Sequence, residues 1–268
     1  MFTRAIPIFL LVLFTACAKP SGSPLGSPQF SAPFSSPGDD HTEVLIYGGP
    51  GSWASEVESL KVILYNHGAS YQEVSPAQLN SMSLDELTQS NLIIFPGGDA
   101  PTVTLNLSAE THAKLREAVQ QRGMSYLGFC AGAWLAVAPA PLPHQDVSYG
   151  LGIVDGPVLE PNYLSKEGRH FALSKASFPD GTQRDLLWYG GPITPNVAGG
   201  VIAKYPDGSP AISQIWSGKG LVMVSGLHPT ATQAILEVLG LINRDAIAPD
   251  FAWKMLDGVI HRKPLAAF

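Results

Sequence analysis

Charge, cysteine and long apolar runs are scarce in this sequence, and each scarcity removes a class of protein. Only 14% of the 268 residues are charged, and 16 Lys and Arg stand against 22 Asp and Glu, a net charge of -6. No basic run occurs, so the sequence offers no surface to track phosphates, and nucleic acid is not an expected partner. Two cysteines allow at most one disulfide, which excludes a small scaffold stapled by disulfides. No apolar run approaches the roughly 20 residues of a spanning helix. Walker lysine and G-x-G-x-x-G spacings are missing, as are metal-ligand clusters, so no metal, nucleotide or other cofactor is expected. What is plentiful is apolar material, 45% of residues, with 27 Gly and 23 Pro. That is enough for the core of one large domain with many turns.

The chain opens with a leader. Arg4 precedes the apolar stretch from Ile6 to Phe14, too short for a stable anchor, so residues 1–16 read as an export signal that is removed. Phe14-Thr15-Ala16-Cys17 resembles the bacterial lipobox, with Phe14 where an aliphatic residue is usual. The resemblance implies acylation of Cys17, and at about 0.8 kcal/mol per buried methylene two or three chains make a firm anchor. Residues 17–41 are mostly Pro, Ser and Gly without periodicity, a composition that tethers rather than folds. Ala18, not Asp, follows the cysteine, which by the enteric sorting rule directs the protein to the outer membrane, facing the periplasm. The expectation is a lipoprotein of the bacterial cell envelope with residues 42–268 as its folded domain. Its partners would be the membrane, through the lipid on Cys17, and a small molecule or an envelope protein.

The folded part begins with the apolar run Glu43 to Tyr47, ending in Gly48-Gly49-Pro50-Gly51, as a buried strand entering a loop would. Ser55-x-x-Glu58 reads as a capping box, with Val57, Leu60, Ile63 and Leu64 on one face of the helix that follows. A strand over Tyr71 to Val74 and a second capping box, Ser83-x-x-Glu86, come next. Leu92 to Phe95 stops at Pro96-Gly97-Gly98-Asp99, a helix covers Glu110 to Arg122, and Ser125 to Phe129 runs straight into a helix at Cys130. Strands alternating with helices at this spacing predict an α/β fold: a parallel sheet with helices on both faces. From Leu151 to about Gly226 short β runs replace the helices: Pro157-Val158-Leu159, His170 to Ala176, Val201 to Tyr205 and Ala211 to Ile215. They predict an antiparallel extension at the sheet edge. Leu221 to Ser225 returns to the core and leads into Gly226-Leu227-His228-Pro229. Helices over Thr230 to Leu241 and Phe251 to His261 close the chain.

Gly128-Phe129-Cys130-Ala131-Gly132 is the sharpest local signal. Glycines flanking a cysteine between strand and helix permit a tight, strained turn that presents the thiol at the sheet edge. The helix N-terminus beneath it favours a thiolate. His228, beyond a strand on the same edge, is placed to act as a general base. The amides of Pro96-Gly97-Gly98-Asp99 and of Ala131-Gly132 could face an oxyanion. Further pocket candidates are Gly49, Pro50, Gly51, Tyr189, Gly190 and Gly191, with Trp53 and Trp188 as aromatic lining.

These segments, with Trp188-Tyr189-Gly190-Gly191-Pro192, resemble the class I glutamine amidotransferase-like superfamily, and within it the branch of the biotin-protein ligase N-terminal domain. The resemblance covers about Val44 to Glu237. It implies a flavodoxin-like parallel sheet, with the nucleophile at Cys130 and the base at His228. Cys130 is followed by Ala131, not His, which sets the sequence apart from the PfpI-type peptidases. Thr230 stands where the superfamily's H-P-E segment places the acid of its triad. A Thr cannot stabilise an imidazolium by charge, so the resemblance implies a dyad at best unless Asp99 or Glu237 substitutes. Biotin ligation is not expected, because a Gly/Arg-rich adenylate-binding segment is absent. Two readings follow: a cysteine-dependent amide hydrolase with an incomplete triad, and a catalytically inactive ligand- or partner-binding module.

Overall fold

Runs of apolar residues short enough to be single strands set the centre of the fold. A computed structural model of the chain describes residues 43–137, 150–156, 159–241 and 243–268. The leader, Cys17, the tether and Pro157-Val158 of an expected strand lie outside the described residues. β1 (Val44–Tyr47), β3 (Leu92–Phe95), β4 (Ser125–Phe129) and β9 (Gly220–Ser225) are buried at every position, as strands covered on both faces must be. With β2 (Tyr71–Val74) they form the parallel half of one sheet. The antiparallel half comprises β5 (Phe171–Ser177), β6 (Gln183–Tyr189), β7 (Val201–Lys204) and β8 (Pro210–Ser217). The strand order is β2-β1-β3-β4-β9-β8-β7-β5-β6, the α/β fold with an antiparallel extension.

Alternate residues of the strands feed two cores. Val44, Ile46, Leu92, Ile94, Leu127 and Phe129 pack with α1 (Ala54–Asn66) and α9 (Pro249–Ile260). Leu45, Tyr47, Ile93, Phe95 and Tyr126 pack on the other face with α4 (Ala100–Asn106), α5 (Ala109–Gln120) and α6 (Ala131–Ala136). The helix periodicity and the sheet alternation thus point at the same two layers.

Three local expectations need correction. α1 starts at Ala54 with Trp53 as N-cap and no side-chain cap, so Ser55 and Glu58 make no capping box; Glu58 pairs with Lys61 at 2.6 Å instead. The helix expected over Thr230 to Leu241 is α8, Gln233–Val238, because Thr232 caps it by accepting from Ile235 N. Thr230 and Ala231 remain in the turn that follows His228, where Ala231 N donates to His228 O. β6 was not anticipated, since Arg184 and Asp185 interrupt its apolar pattern. It is an edge strand, with β5 as its neighbour in the sheet and one bridge from Leu187 to His228, and such a strand needs no continuous apolar run. A capping box at Ser83 is present, with Ser83 Oγ accepting from Glu86 N.

The contrast between the two serines is measurable. Ser83→Ala is expected to cost about 1 kcal/mol, whereas Ser55→Ala should fall within ~0.5 kcal/mol of wild type. Paired urea unfolding curves check this, and equal losses at both positions would contradict the cap assignment.

Candidate functional site

Five segments meet at the carboxyl edge of the parallel strands, where sheets of this kind bind ligands. β4 delivers Cys130, β9 leads to His228, β3 ends in Gly97-Gly98-Asp99, β1 leads through Gly51 to α1, and β6 ends at Tyr189. Cys130 has φ 46° and ψ −100°, a conformation costing about 1–3 kcal/mol that persists only where surroundings enforce it. Cys130 N donates to Ser225 O at 2.7 Å. A Cβ on Gly128 would stand 2.4 Å from Gly132 O, and one on Gly132 2.1 Å from Phe95 O. Both glycines are therefore required by close backbone approach, and Gly132 builds the elbow instead of facing a ligand.

The thiol is nearly buried, 6% exposed, and Cys130 Sγ donates to Tyr189 O at 3.1 Å. His228 is held by its own amide, which donates to Leu187 O of β6 at 2.8 Å. Its Nδ1 lies 3.0 Å from Glu56 Oε1. Nε2 is buried with no hydrogen-bond partner among the described residues, yet Cys130 is near enough to act on the charge of the ring. Trp53 packs edge-on against the imidazole, with ring centroids 5.2 Å apart.

Glu56 is the residue that the sequence reading missed. It sits in the first turn of α1, 5% exposed, and its oxygens are fully engaged. Oε2 accepts from Gly97 N at 2.5 Å, while Oε1 accepts from Thr230 Oγ1 and faces His228. Burial pushes the Glu56 carboxyl up, but the His228 charge and these hydrogen bonds outweigh it and leave it below its ordinary 4.5. Burial likewise pushes His228 down, and the Glu56 carboxylate, with help from Cys130, reverses this and raises it from 6.5 to about 10. The pair is a buried carboxylate and imidazolium across neutral pH. A signal was present: Glu56, Leu60 and Ile63 share one helical face, and a carboxylate on an apolar stripe is rarely buried without a partner.

Thr230 does not occupy the acid's place; it is a donor that positions the acid. Asp99 and Glu237 do not substitute: Asp99 caps α4, with Oδ2 accepting from Thr102 N at 3.0 Å, and Glu237 is exposed and accepts from Gln233. Of the amides considered for an oxyanion, Gly97 N is taken by Glu56 and Asp99 N by Gly51 O. Gly98 N and Ala131 N have no partner among the described residues. Gly51, Ser52, Trp53, Gly98, Asp99, Cys130, Tyr189 and His228 line a cavity of about 330 Å³, within the range of small-molecule sites. Gly49 and Pro50 do not line it: Gly49 N and O both bond Ser52 Oγ, and Pro50 O accepts from Tyr47 OH. Gly190 and Gly191 also lie off the lining, and a Cβ on Gly191 would be 2.1 Å from Gly226 O. Trp188 belongs to the core, fully buried with Nε1 donating to Gly191 O.

The charge pair predicts a pH window. Glu56, lowered from 4.5, contributes stability above that value that is lost as pH falls through its folded pKa. His228, raised from 6.5 to about 10, contributes fully below 6.5, and this is lost as pH rises toward 10. The difference in unfolding free energy between wild type and Glu56→Gln should therefore peak between pH 4.5 and 6.5 and shrink toward alkaline pH. A difference that stays constant across this range in denaturant titrations would mean that the two groups do not carry opposite charges.

Residues 42–146 match the family described as "Biotin-protein ligase, N terminal". No curated protein matches the chain. Among solved structures, it is similar to an exo-beta-1,4-mannosidase from Opitutaceae bacterium strain TAV5 at 13% identity and a TM-score of 0.44, over 85% of this chain and 37% of that one. A beta-galactosidase from Rahnella sp. R3 gives 15% identity and 0.45, over 75% and 32%. The chain thus spans only about a third of the length of these two. A glutamine amido transferase from Methylobacillus flagellatus is similar at 13% identity and 0.41, over 76% of this chain and 75% of that one. At such identities and TM-scores none of these likenesses transfers an activity. Residues 42–146 are thus similar to the biotin-protein ligase N-terminal family, and the described strands among them, β1 to β4, belong to the parallel half of an α/β sheet.

Proposed function

We propose that this protein is a cysteine-dependent amide hydrolase in which Cys130 is the nucleophile, His228 the proton carrier and Glu56 the acid that orients it. One observation carries the reading: a fully engaged carboxylate is buried against His228 Nδ1, leaving Nε2 open beside Cys130. A triad is defined by geometry and roles and not by chain order, so an acid supplied by α1 is as serviceable as one in H-P-E.

The chemistry follows from the proton positions. His228 holds its second proton for the leaving group, and Cys130 gives its own proton to solvent before the attack. The sulfur attacks the amide carbon, and the oxyanion lies toward Gly98 N and Ala131 N. His228 Nε2 gives its proton to the nitrogen as the C–N bond breaks, releasing the amine and leaving a thioester. Water then adds to the thioester and returns one proton to Nε2. The C–S bond breaks, and the carboxylic acid departs from the regenerated thiolate. An inactive binding module is the competing reading. Thr230, the extended β region and the tether speak for it, but Thr230 donates to the Glu56 carboxylate in place of being a lost acid.

We place this domain on the bacterial envelope through an acylated Cys17, on the sequence alone; no described helix is long and apolar enough to cross a membrane. Metabolic labelling with an alkynyl fatty acid should mark the wild type and not Cys17→Ser.

Catalysis is tested with a panel of amides and esters. Cys130→Ser should abolish turnover, and Glu56→Gln should lower kcat on the order of 10⁴-fold, as loss of an orienting carboxylate does elsewhere. Thr230→Val, which removes one hydrogen bond of about 1 kcal/mol, should cost roughly fivefold. An absence of Cys130-dependent turnover across the panel, with iodoacetamide alkylation of Cys130 indifferent to His228→Ala, would overturn the proposal.

A further inference from the structure

The walls of the Cys130 cavity are unevenly charged. Among the described residues lining it, Asp99 is the one carboxylate, and no Lys or Arg is present. The imidazolium of His228 is countered from behind by Glu56 at 3.0 Å. Asp99 uses Oδ2 to cap α4, accepting from Thr102 N and Thr102 Oγ1, and its Oδ1 has no partner among the described residues. Among its described lining residues the cavity therefore presents one carboxylate with no Lys or Arg beside it.

Aromatic rings make up another wall. Trp53 and Tyr189 line the cavity with ring centroids 5.0 Å apart. Tyr189 stacks in turn on Phe171 at 5.8 Å and 11°. Tyr189 is 39% exposed and Phe171 38%, so this row of rings meets solvent where core packing would hide it. The faces of such rings carry negative quadrupole density and attract cations, most strongly alkylated ammonium groups. A substrate bearing a carboxylate beside the scissile amide, as free glutamine does, would bring that charge to Asp99 with no guanidinium or ammonium to receive it.

We propose that the Cys130 cavity selects amides whose acyl group carries a positive charge, an amine or a quaternary ammonium, held between the Asp99 carboxylate and the Trp53–Tyr189 wall. This rests on the reading of Cys130 as the reacting centre. Asp99, Trp53 and Tyr189 act in it as specificity-determining residues.

The test needs no substrate. Two methanethiosulfonates of similar size, one ending in trimethylammonium and one in sulfonate, are reacted with the full chain, and modification of the Cys130 peptide is timed by mass spectrometry. The ratio of the two rates, divided by the same ratio for a small free thiol at equal ionic strength, is expected to exceed tenfold in favour of the cation. Asp99→Asn keeps a side chain able to cap α4 and should reduce the ratio at least threefold. Tyr189→Leu should reduce it as well. Glu58→Gln, which removes a carboxylate on the solvent side of α1, should leave it unchanged and so separates the local charge from the net charge of the protein. A normalised ratio near one, or a ratio that falls no further with Asp99→Asn than with Glu58→Gln, would overturn the proposal. A charge preference in a protein that hydrolyses no amide would sink the hydrolase reading and leave the selective cavity standing. If Cys130 reacts with neither reagent, both fall.

Discussion

The buried contact between Glu56 and His228 constrains everything around it. Removing two opposite charges from water is repaid only by close geometry and further hydrogen bonds. Glu56 meets this with Gly97 N, Thr230 Oγ1 and the imidazole. Gly97 lies at the end of β3, and His228 and Thr230 lie in the segment that follows β9. The carboxylate thereby ties the first turn of α1 to the strand ends. A Cβ on Gly97 would stand 2.5 Å from His228 Cε1 and 2.9 Å from Glu56 Oε2. The Pro-Gly-Gly turn is thus as much a wall of the charge pair as a source of amides.

Strain at Cys130 has the same origin in close packing. A left-handed cysteine with ψ near −100° does not survive unless its neighbours leave no alternative. Here β9 holds its amide, and Gly128, Gly132 and Phe95 bring three backbone segments nearer than side chains would allow. The result is a sulfur fixed between a backbone carbonyl, Tyr189 O, and an imidazole nitrogen with no partner. The thiol donates to Tyr189 O, and Cys130 also acts on the charge of the His228 ring.

The antiparallel half of the sheet is part of this site as well as an extension of the core. β6 supplies Leu187 O to hold the His228 amide and Tyr189 O to hold the thiol, and the ring of Tyr189 joins Trp53 along the cavity. An edge strand with interrupted apolarity thereby contributes as much to the geometry around Cys130 as the central strands. Its carbonyls are the reason, and carbonyls are indifferent to side-chain pattern.

By itself the sequence determined the strands β1, β3, β4 and β9, the parallel sense of the core, the elbow at Cys130 and the edge on which His228 lies. Each is written in local chemistry: apolar runs of strand length, glycines at a turn, and helices alternating with strands. The tertiary structure alone decided the partner of His228, which amides remain free, and which aromatics face the cavity. Glu56 and His228 are 172 residues apart, and no local pattern relates them. A carboxylate on the apolar face of α1 announces that it needs a partner, but only the packing of α1 over the ends of β3 and β9 says which one. Trp188 and Tyr189 are adjacent in sequence and part company for the same reason. Alternation along β6 sends one ring into the core and the other toward solvent, and the sheet edge on which β6 sits sets which face is which.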